Sequence, residues 1–177
     1  AKPEEYVEEL CGNCQEHKTK VNASRGFLIM NKGLNIVGSG KDATTLVTKA
    51  GYGVLFENSR NSLITRLKIT GGKRDVDGNA TDAGIVTKFS TVTVEDVEIS
   101  DNIHRLENVV VGIGGVFGRE NSEISILNNR IQNNGWDGVA LYRGATAYIA
   151  DNVICDGRGA GIGITWDAVA TVYRNEI

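Results

Sequence analysis

Proline, leucine and helical periodicity are scarce in this 177-residue sequence. The single proline, Pro3, lies near the N-terminus and therefore interrupts none of the later chain. Leucine occurs 10 times, whereas isoleucine and valine together occur 34 times, so β-branched residues dominate the apolar positions, as strands prefer. Apart from residues 4–10, no segment shows the i, i+3, i+4 spacing of an amphipathic helix. These absences argue against a helical fold and against leucine-rich repeats.

An excess of one charge and a long apolar run are also missing. The 19 basic and 22 acidic residues give a formal net charge of −3. No basic block favours nucleic acid, and no apolar run approaches the length of a membrane span. The acidic N-terminus is not a signal peptide, although a mature secreted chain or an excised fragment would look the same. We therefore expect neither a nucleic-acid partner nor a membrane span.

Cysteine is limited to Cys11, Cys14 and Cys155. Cys11 and Cys14, with His17 nearby, have the spacing of a partial zinc site or of a redox pair. A fourth zinc ligand cannot be assigned, and no thioredoxin-like βαβ pattern surrounds the pair. Three interpretations stay open: a local disulfide that staples an N-terminal loop, free cysteines, and metal or redox chemistry. Cys155 is predicted to be a small residue in a turn.

A glycine followed by an aliphatic residue recurs through the chain. The five pairs begin at Gly53, Gly84, Gly115, Gly138 and Gly161, with gaps of 31, 31, 23 and 23 residues. Aliphatic residues also recur at fixed distances after each glycine, for example at Ile126 and Ile149. A fixed period in this range indicates a solenoid, whose repeats stack to bury faces that they cannot bury alone.

Each coil is predicted to consist of short strands joined by tight turns. Segments 91–94 and 123–126 alternate polar and apolar residues with the period of a half-buried strand. Asn129, Asn152 and Asn175 then fall at one corner of successive coils, where stacked amides can hydrogen-bond along the stack. We expect successive coils to pair in parallel about 4.8 Å apart.

These features resemble the right-handed parallel β-helix proteins of the pectate-lyase-like type. The resemblance covers residues 26–177 and rests on the 23-residue coil, the aliphatic stacks and the asparagine ladder. It implies an all-β solenoid of about six visible coils, preceded by an N-terminal segment at residues 1–25. Because Ile177 is itself a repeat position, we also expect further chain or another subunit to cover the ends. The fold hosts lyases, hydrolases, epimerases and adhesins, so it does not name an activity.

The uneven coil length predicts a ligand groove. The next glycine follows the closing isoleucine of a coil by 7 positions in the last two coils, but by 15, 16 and 17 positions in the earlier ones. The extra residues all enter at the same corner, so we expect them to form a wall beside a flat sheet. The alternative is that these loops only shield the side or an open end of the solenoid.

The loop at residues 71–82 is rich in oxygen-bearing side chains. Hard cations bind to such clusters, so Asp75, Asp77 and Asp82 are the predicted ligands if calcium is bound. The match to a complete calcium loop is partial, and an ordinary solvated turn uses the same residue types. In the next loop, His104 lies near Asp101 and Arg105 and is a candidate general acid or base, with an ordinary surface histidine as the alternative.

The strand after each glycine is predicted to form the floor of the groove. Alternation directs the first and third residues after the glycine inward, and the second and fourth outward. The fourth and fifth positions, together with one further residue, contribute Lys88, Arg119, Tyr142, Arg143, Trp166 and Asp167. Cations bind uronate carboxylates and aromatic faces stack on sugar rings, so this set suits an acidic sugar. The alternative is that these charges pair with one another along the stack.

The resemblance then supplies an expected function. In lyases of this fold a lysine or arginine abstracts the proton next to the uronate carboxylate, so Lys88 and Arg119 are the predicted base and charge neutraliser, with His104 as a further catalytic candidate. Tyr142, Arg143, Trp166 and Asp167 are the predicted sugar-binding residues. We expect an extracellular, periplasmic or cell-surface protein that binds an anionic polysaccharide and, as a lyase, cleaves it by β-elimination. The alternative is a non-catalytic surface or adhesion solenoid that contacts a cell-surface partner.

Overall fold

The computed structural model describes residues 1–177 and consists of strands, turns and loops. No helix that is long and apolar enough to cross a membrane occurs in it. The prediction of an all-β fold is confirmed. The strands, in chain order, are β1 (Glu4–Glu8), β2 (Val21–Met30), β3 (Asn35–Val37), β4 (Thr45–Val47), β5 (Tyr52–Glu57), β6 (Ser62–Thr70), β7 (Ala83–Lys88), β8 (Thr91–Ser100), β9 (Gly114–Arg119), β10 (Glu123–Leu127), β11 (Arg130–Gln132), β12 (Val139–Leu141), β13 (Thr146–Ala150), β14 (Val153–Cys155), β15 (Ile162–Ile164) and β16 (Val169–Tyr173).

The strands form two sheets that wind around one apolar lumen. The first sheet has the order β1-β2-β5-β7-β9-β12-β15, and its six strands from β2 onward pair in parallel. The second sheet has nine strands, including the long strands β6 and β8, which bend and contribute to two faces. One strand of the first sheet and one stretch of the second alternate along the chain, which is the connectivity of a parallel β-helix with six coils.

The recurring glycines mark places where neighbouring coils approach closely. A Cβ atom at Gly53 or Gly138 would collide with the backbone carbonyl of the equivalent glycine one coil further on. The aliphatic residue after each glycine points into the lumen and stacks in register, in the order Val54, Ile85, Val116, Val139 and Ile162. The glycine therefore permits the close backbone contact, and its aliphatic neighbour fills the core.

The predicted asparagine ladder is present at the bend between the two faces of the second sheet. The Asn129 side-chain amide donates to the Asn152 side-chain oxygen at 3.0 Å. The Asn152 side-chain amide donates in turn to the Asn175 side-chain oxygen at 2.8 Å. The same oxygens also accept backbone N–H groups. A second, shorter stack that the sequence analysis missed joins Asn102 to Asn134 at 2.9 Å. These buried amides satisfy turn backbone that the β-ladders leave unpaired.

The outer face of the first sheet is buried as well as its inner face. A second apolar cluster, separate from the lumen, contains Leu55, Val86, Phe117 and Ala140, which lie at the outward positions of β5, β7, β9 and β12. The cover is the N-terminal strap, defined here as residues 1–20, together with the start of β2. Within the strap, β1 pairs antiparallel with residues 21–25, and Cys11 packs into the outer cluster.

Loss of one ladder amide is expected to destabilise the solenoid. Asn152→Ala removes the acceptor for Asn129 and leaves buried polar groups unpaired, so we expect the free energy of unfolding to fall by about 2 kcal/mol. Urea unfolding followed by circular dichroism measures this loss. Asn108→Ala, in an exposed loop, is the matched control and should change the midpoint little. Equal midpoints for the two variants would contradict the structural role of the ladder.

Candidate functional site

The strap places one carboxylate over the predicted cationic floor. Glu8 is the last residue of β1, and its side chain lies between Lys88 and Arg119. Its Oε1 atom is 3.1 Å from Lys88 Nζ and forms an ion pair with Arg119 Nη2. Lys88 is only 3% exposed and Arg119 is 0% exposed. The outward direction predicted for these side chains is correct, but the strap separates them from solvent.

Further contacts enclose the arginine on all sides. Its guanidinium donates to Thr81 Oγ1 at 2.6 Å and to the Leu10 carbonyl at 2.7 Å, and it lies 3.0 Å from Glu120 Oε1. Gly12 packs directly on this guanidinium, and a side chain at Gly12 would collide with it. Glycine at this position therefore lets the strap close over the Arg119 side chain without displacing it.

The charges of this network perturb one another strongly. Burial alone would raise the pKa of the Glu8 carboxyl, but Arg119 and Lys88 hold that pKa below its ordinary value. Burial opposes the charge of Lys88, yet the neighbouring Glu8 raises the lysine pKa above its ordinary value. Burial raises the pKa of Glu120, although Arg119 opposes the rise. Glu8 and both cations therefore remain charged at neutral pH, as a buried ion-pair network.

The prediction that Lys88 and Arg119 are catalytic needs correction. A general base must reach the substrate proton, but both side chains are enclosed and paired with carboxylates of the same chain. The alternative interpretation, in which the stacked charges pair with one another, describes them better. The carboxylate that pairs with both cations, Glu8, lies in the strap and not in the stacked strands.

Hydrogen bonds and one ion pair engage the carboxylates of the loop at residues 71–82. Asp75 accepts from the Ser24 backbone at 2.8 Å, and Asp77 accepts from the Asn22 backbone at 2.9 Å. Asp82 is buried and forms an ion pair with Arg74. No group of three or more His, Cys, Asp or Glu side chains is arranged to hold a metal ion. The assignment of Asp75, Asp77 and Asp82 as one metal site is therefore corrected, since Asp75 and Asp77 fasten the start of β2 and Asp82 pairs with Arg74.

Burial also controls ionisation in this loop. It raises the pKa of Asp82 to about 7, and the nearby Arg74 offsets only part of that rise. The pKa of Asp75 is raised by burial too, and its backbone N–H donates to Asp82 Oδ2 at 2.7 Å. Two neighbouring buried carboxyl groups that share one arginine favour retention of a proton.

His104 is placed away from the other candidates. It lies exposed in the loop that follows β8, and its Nδ1 atom accepts the Arg74 backbone N–H at 3.2 Å. Loops 71–82 and 101–113 thus stack on each other, as predicted, and Arg74 also donates to the Val111 carbonyl at 2.8 Å. Nothing brings His104 to Lys88, Arg119 or the sugar-binding candidates, so the ordinary surface histidine fits it better than a general acid or base.

An open cleft remains at the corner that follows the first sheet. It has a volume of about 350 Å³ and is called the corner cleft below. It is lined by His17, Phe89, Glu120, Asn121, Arg143, Gly144, Trp166 and Asp167. Three of the predicted sugar-binding residues, Arg143, Trp166 and Asp167, therefore come together. Tyr142 does not join them, because it is 6% exposed and packs edge-on against Phe117 in the outer apolar cluster, at a centroid distance of 5.8 Å.

The corner cleft is built from one stacked turn per coil. Phe89, Arg143 and Trp166 each adopt a left-handed backbone, with φ of 50°, 50° and 52°. Backbone hydrogen bonds connect the turns, including Phe89 N–H to the Glu120 carbonyl at 3.0 Å. Glycine and asparagine accept this conformation at little cost, whereas bulky side chains are unusual there. The left-handed backbone is shared with turns at other corners of the solenoid, so the aromatic side chains and not the backbone distinguish this corner.

Aromatic surface and cationic charge meet in the corner cleft. Phe89 and Trp166 are each 39% exposed, and the Arg143 guanidinium lies 4.2 Å from the Trp166 ring centroid. Arg143 forms no ion pair, in contrast to Lys88 and Arg119, and its buried Nε has no hydrogen-bond partner. Its Nη2 atom donates to the Cys14 carbonyl of the strap. The guanidinium is thus held in place while its charge lacks a carboxylate partner.

A smaller depression of about 230 Å³ adjoins the corner cleft. It is lined by Arg60, Phe89, Ser90, Thr91, Asn121 and Glu123, so it shares Phe89 and Asn121 with the corner cleft. The two together run from the turn of Arg60 to that of Trp166, which spans four coil intervals, or about 19 Å at the spacing of parallel strands. The shape suits an extended chain better than a compact small molecule.

The strap contributes a wall that the sequence analysis did not anticipate. Cys11 and Cys14 form a disulfide, which confirms the local-staple interpretation, while Cys155 is free. His17 follows this disulfide, lines the corner cleft, and places Nε2 4.0 Å from Glu120 Oε1. No periodic signal marks His17, since it lies outside the repeats. Phe89 did carry a signal, because it occupies the same repeat position as Arg143 and Trp166.

Comparison with known proteins settles the family. The family model described as the right-handed β-helix region matches residues 11–177. The chain therefore belongs to the right-handed β-helix family, and the predicted resemblance to this fold is confirmed. No curated protein and no solved structure matches the chain. Membership of this family fixes the architecture, whereas activity depends on the individual site.

Removal of the strap carboxylate is expected to destabilise the fold. Glu8→Gln leaves Lys88 and Arg119 buried without their shared counter-charge, so the free energy of unfolding should fall by about 3 kcal/mol or more. Urea unfolding measures the loss. The control is Glu5→Gln, an exposed glutamate on the same strand, which should change the midpoint little. A stable Glu8→Gln protein would show that the network is not needed to hold the strap.

Asp82 is expected to make stability depend on pH. Its pKa is about 7 in the folded chain but near 4 in the unfolded chain, so folding favours the protonated form. Its stabilising contribution is complete below about pH 4 and is lost as the pH rises through about 7. Asp82→Asn should therefore flatten the decline in urea midpoint between about pH 5 and about pH 8.

The control for this measurement is Asp151, an exposed aspartate whose pKa is lowered and not raised. The hydrogen bond from Arg174 lowers the pKa of Asp151, so Asp151→Asn should leave the slope between about pH 5 and about pH 8 unchanged. If Asp82→Asn and the wild type share the same slope, Asp82 is not the group that titrates.

Proposed function

We propose that this protein binds an anionic, uronate-containing polysaccharide in the corner cleft. The observation that carries the proposal is the arrangement of Arg143, which stacks on the exposed Trp166 ring and lacks a carboxylate partner. A uronate carboxylate supplies that partner, and the exposed aromatic faces supply apolar surface for the sugar rings. The length of the combined depressions matches a chain of several sugar units.

The corner cleft also contains hydrogen-bond acceptors for the hydroxyl groups of a sugar. Asp167 and Asn121 line the corner cleft and offer carboxylate and amide groups. Carbohydrate ligands need such polar groups beside an apolar platform, because each ring has hydroxyl edges and apolar faces. Binding through these residues does not require the calcium ion that the sequence predicts at Asp75, Asp77 and Asp82.

The proposal is one of binding, without β-elimination. Lys88 and Arg119, the residues that the lyase hypothesis needs as base and neutraliser, are enclosed beneath the strap. No other lysine or arginine lines the corner cleft beside Arg143, and an arginine that contacts a backbone carbonyl is held as a donor and not as a base. We propose a secreted, periplasmic or cell-surface location, since disulfides such as Cys11–Cys14 persist in oxidising compartments.

Calorimetric titration with hexagalacturonate tests the proposal, with the neutral cellohexaose as comparator. We expect the acidic oligomer to bind more tightly and its affinity to fall as salt rises. Trp166→Ala should lower that affinity about tenfold, because the platform under Arg143 is lost. Phe89→Asn should also weaken binding while it preserves or raises the melting temperature, since asparagine accepts the left-handed turn more readily.

A matched control exists at a different corner of the solenoid. Arg174 lies 4.6 Å from the Tyr173 ring centroid, but it is ion-paired with Asp151. Tyr173→Ala should leave the affinity unchanged. Absence of binding to hexagalacturonate and to oligoguluronate would contradict the proposal and favour the alternative of a non-catalytic adhesion solenoid. Ultraviolet-absorbing unsaturated product from either oligomer would show that elimination occurs after all.

A further inference from the structure

The disulfide loop, residues 11–17, touches the proposed binding site from outside the β-helix. The Cys14 carbonyl accepts a hydrogen bond from Arg143 Nη2, and His17 forms part of the wall of the corner cleft. The Cys11 carbonyl in turn accepts from His17 Nδ1 at 2.9 Å. Both half-cystines therefore present a carbonyl that orients a side chain of the cleft.

Side-chain packing of Cys11 in the outer apolar cluster and of Gly12 on Arg119 holds the start of the loop, whereas backbone hydrogen bonds contribute almost nothing. No backbone hydrogen bond joins residues 11–20 to the rest of the chain, and the one backbone bond within this stretch joins Thr19 to Glu16. The flanking segments are anchored separately, by the Glu8 ion pairs before the loop and by the pairing of β1 with β2 after it. The disulfide is therefore a local constraint on the loop, and the β-helix does not depend on it for its own hydrogen bonds.

We propose that the disulfide loop determines the specificity of the corner cleft for acidic ligands, by positioning Arg143. A guanidinium on a flexible side chain loses conformational entropy when it binds a carboxylate, and prior fixation reduces that loss. The Cys14 carbonyl accepts from Nη2 of the guanidinium, the Trp166 ring centroid lies 4.2 Å from its central carbon, and the Arg143 side chain lines the cleft. The Cys11–Cys14 bond keeps that carbonyl in place. This inference rests on the function proposed above and assigns the strap a part in it.

The position of the loop predicts a selective effect on ligand binding. Without the disulfide, Arg143 loses its fixed partner, whereas Phe89, Trp166 and Asn121 belong to the β-helix and stay in place. Recognition of carboxylates should then weaken, while stacking against neutral sugars should be preserved. A loop with a purely stabilising role would change the affinity for both ligands together or for neither.

The test compares two ligands on the Cys11→Ser/Cys14→Ser double variant, with Cys155→Ser as the matched control. We expect the affinity for hexagalacturonate to fall about tenfold and that for cellohexaose to change less than about twofold, since a charge-assisted hydrogen bond is lost. Arg143→Gln should give the same selective loss, and its combination with the double variant should add nothing further. Cys155→Ser should behave as the wild type.

Each outcome separates this inference from the proposed function. If the wild type itself does not prefer hexagalacturonate, the proposed function fails. If the wild type prefers it and the double variant keeps the same ratio of affinities, the disulfide loop does not set specificity and this inference is overturned. Should the double variant fail to fold, treatment of folded wild type with a dithiol, checked by thiol titration, opens the same bond and permits the same comparison.

Discussion

The buried carboxylate of Glu8 is the contact on which the arrangement of this molecule depends. Two cations stacked on the outer face of a β-helix would otherwise repel each other, and each would need solvent or a counter-ion. Glu8 pairs with both Lys88 and Arg119, while Glu57 and Glu120 supply further negative charge, and the Glu8 ion pairs hold β1 and the rest of the strap against the first sheet. An apolar cluster then forms between strap and sheet, so that a surface expected to face solvent becomes a second core.

The closure of that face moves the candidate site to a corner. Once the strap covers the middle of the first sheet, the residues that project from the following turns remain accessible, and these are Phe89, Arg143 and Trp166. The strap ends beside them and contributes His17 and the Cys14 carbonyl. One segment thus removes the predicted catalytic floor from solvent and completes the wall of the cleft that is left.

Most of the fold follows from local rules that can be read along the chain. Each coil packs against neighbours like those of the coil before it, so the same residue types recur. Examples are the spaced glycines, the inward Val54 and Ile85, and the ladder through Asn152. The site follows such rules only in part. Arg143, Trp166 and Asp167 share a corner because of the repeat, whereas the burial of Tyr142 and Lys88 depends on a segment outside it. One local signal of that burial was present: Leu55, Val86 and Phe117 are apolar at outward positions, as in strands covered on both faces.

The sequence by itself determined the solenoid, its six coils and the stack of turns at the corner, because periodic contacts between adjacent coils require only periodic residues. The tertiary structure alone decided which of the outward side chains remain in contact with solvent. That outcome depends on a contact between Glu8 and Arg119, which are 111 residues apart, and on the fit of Gly12 over the guanidinium. No repeat encodes such a pairing, since the strap binds the β-helix once and at one place.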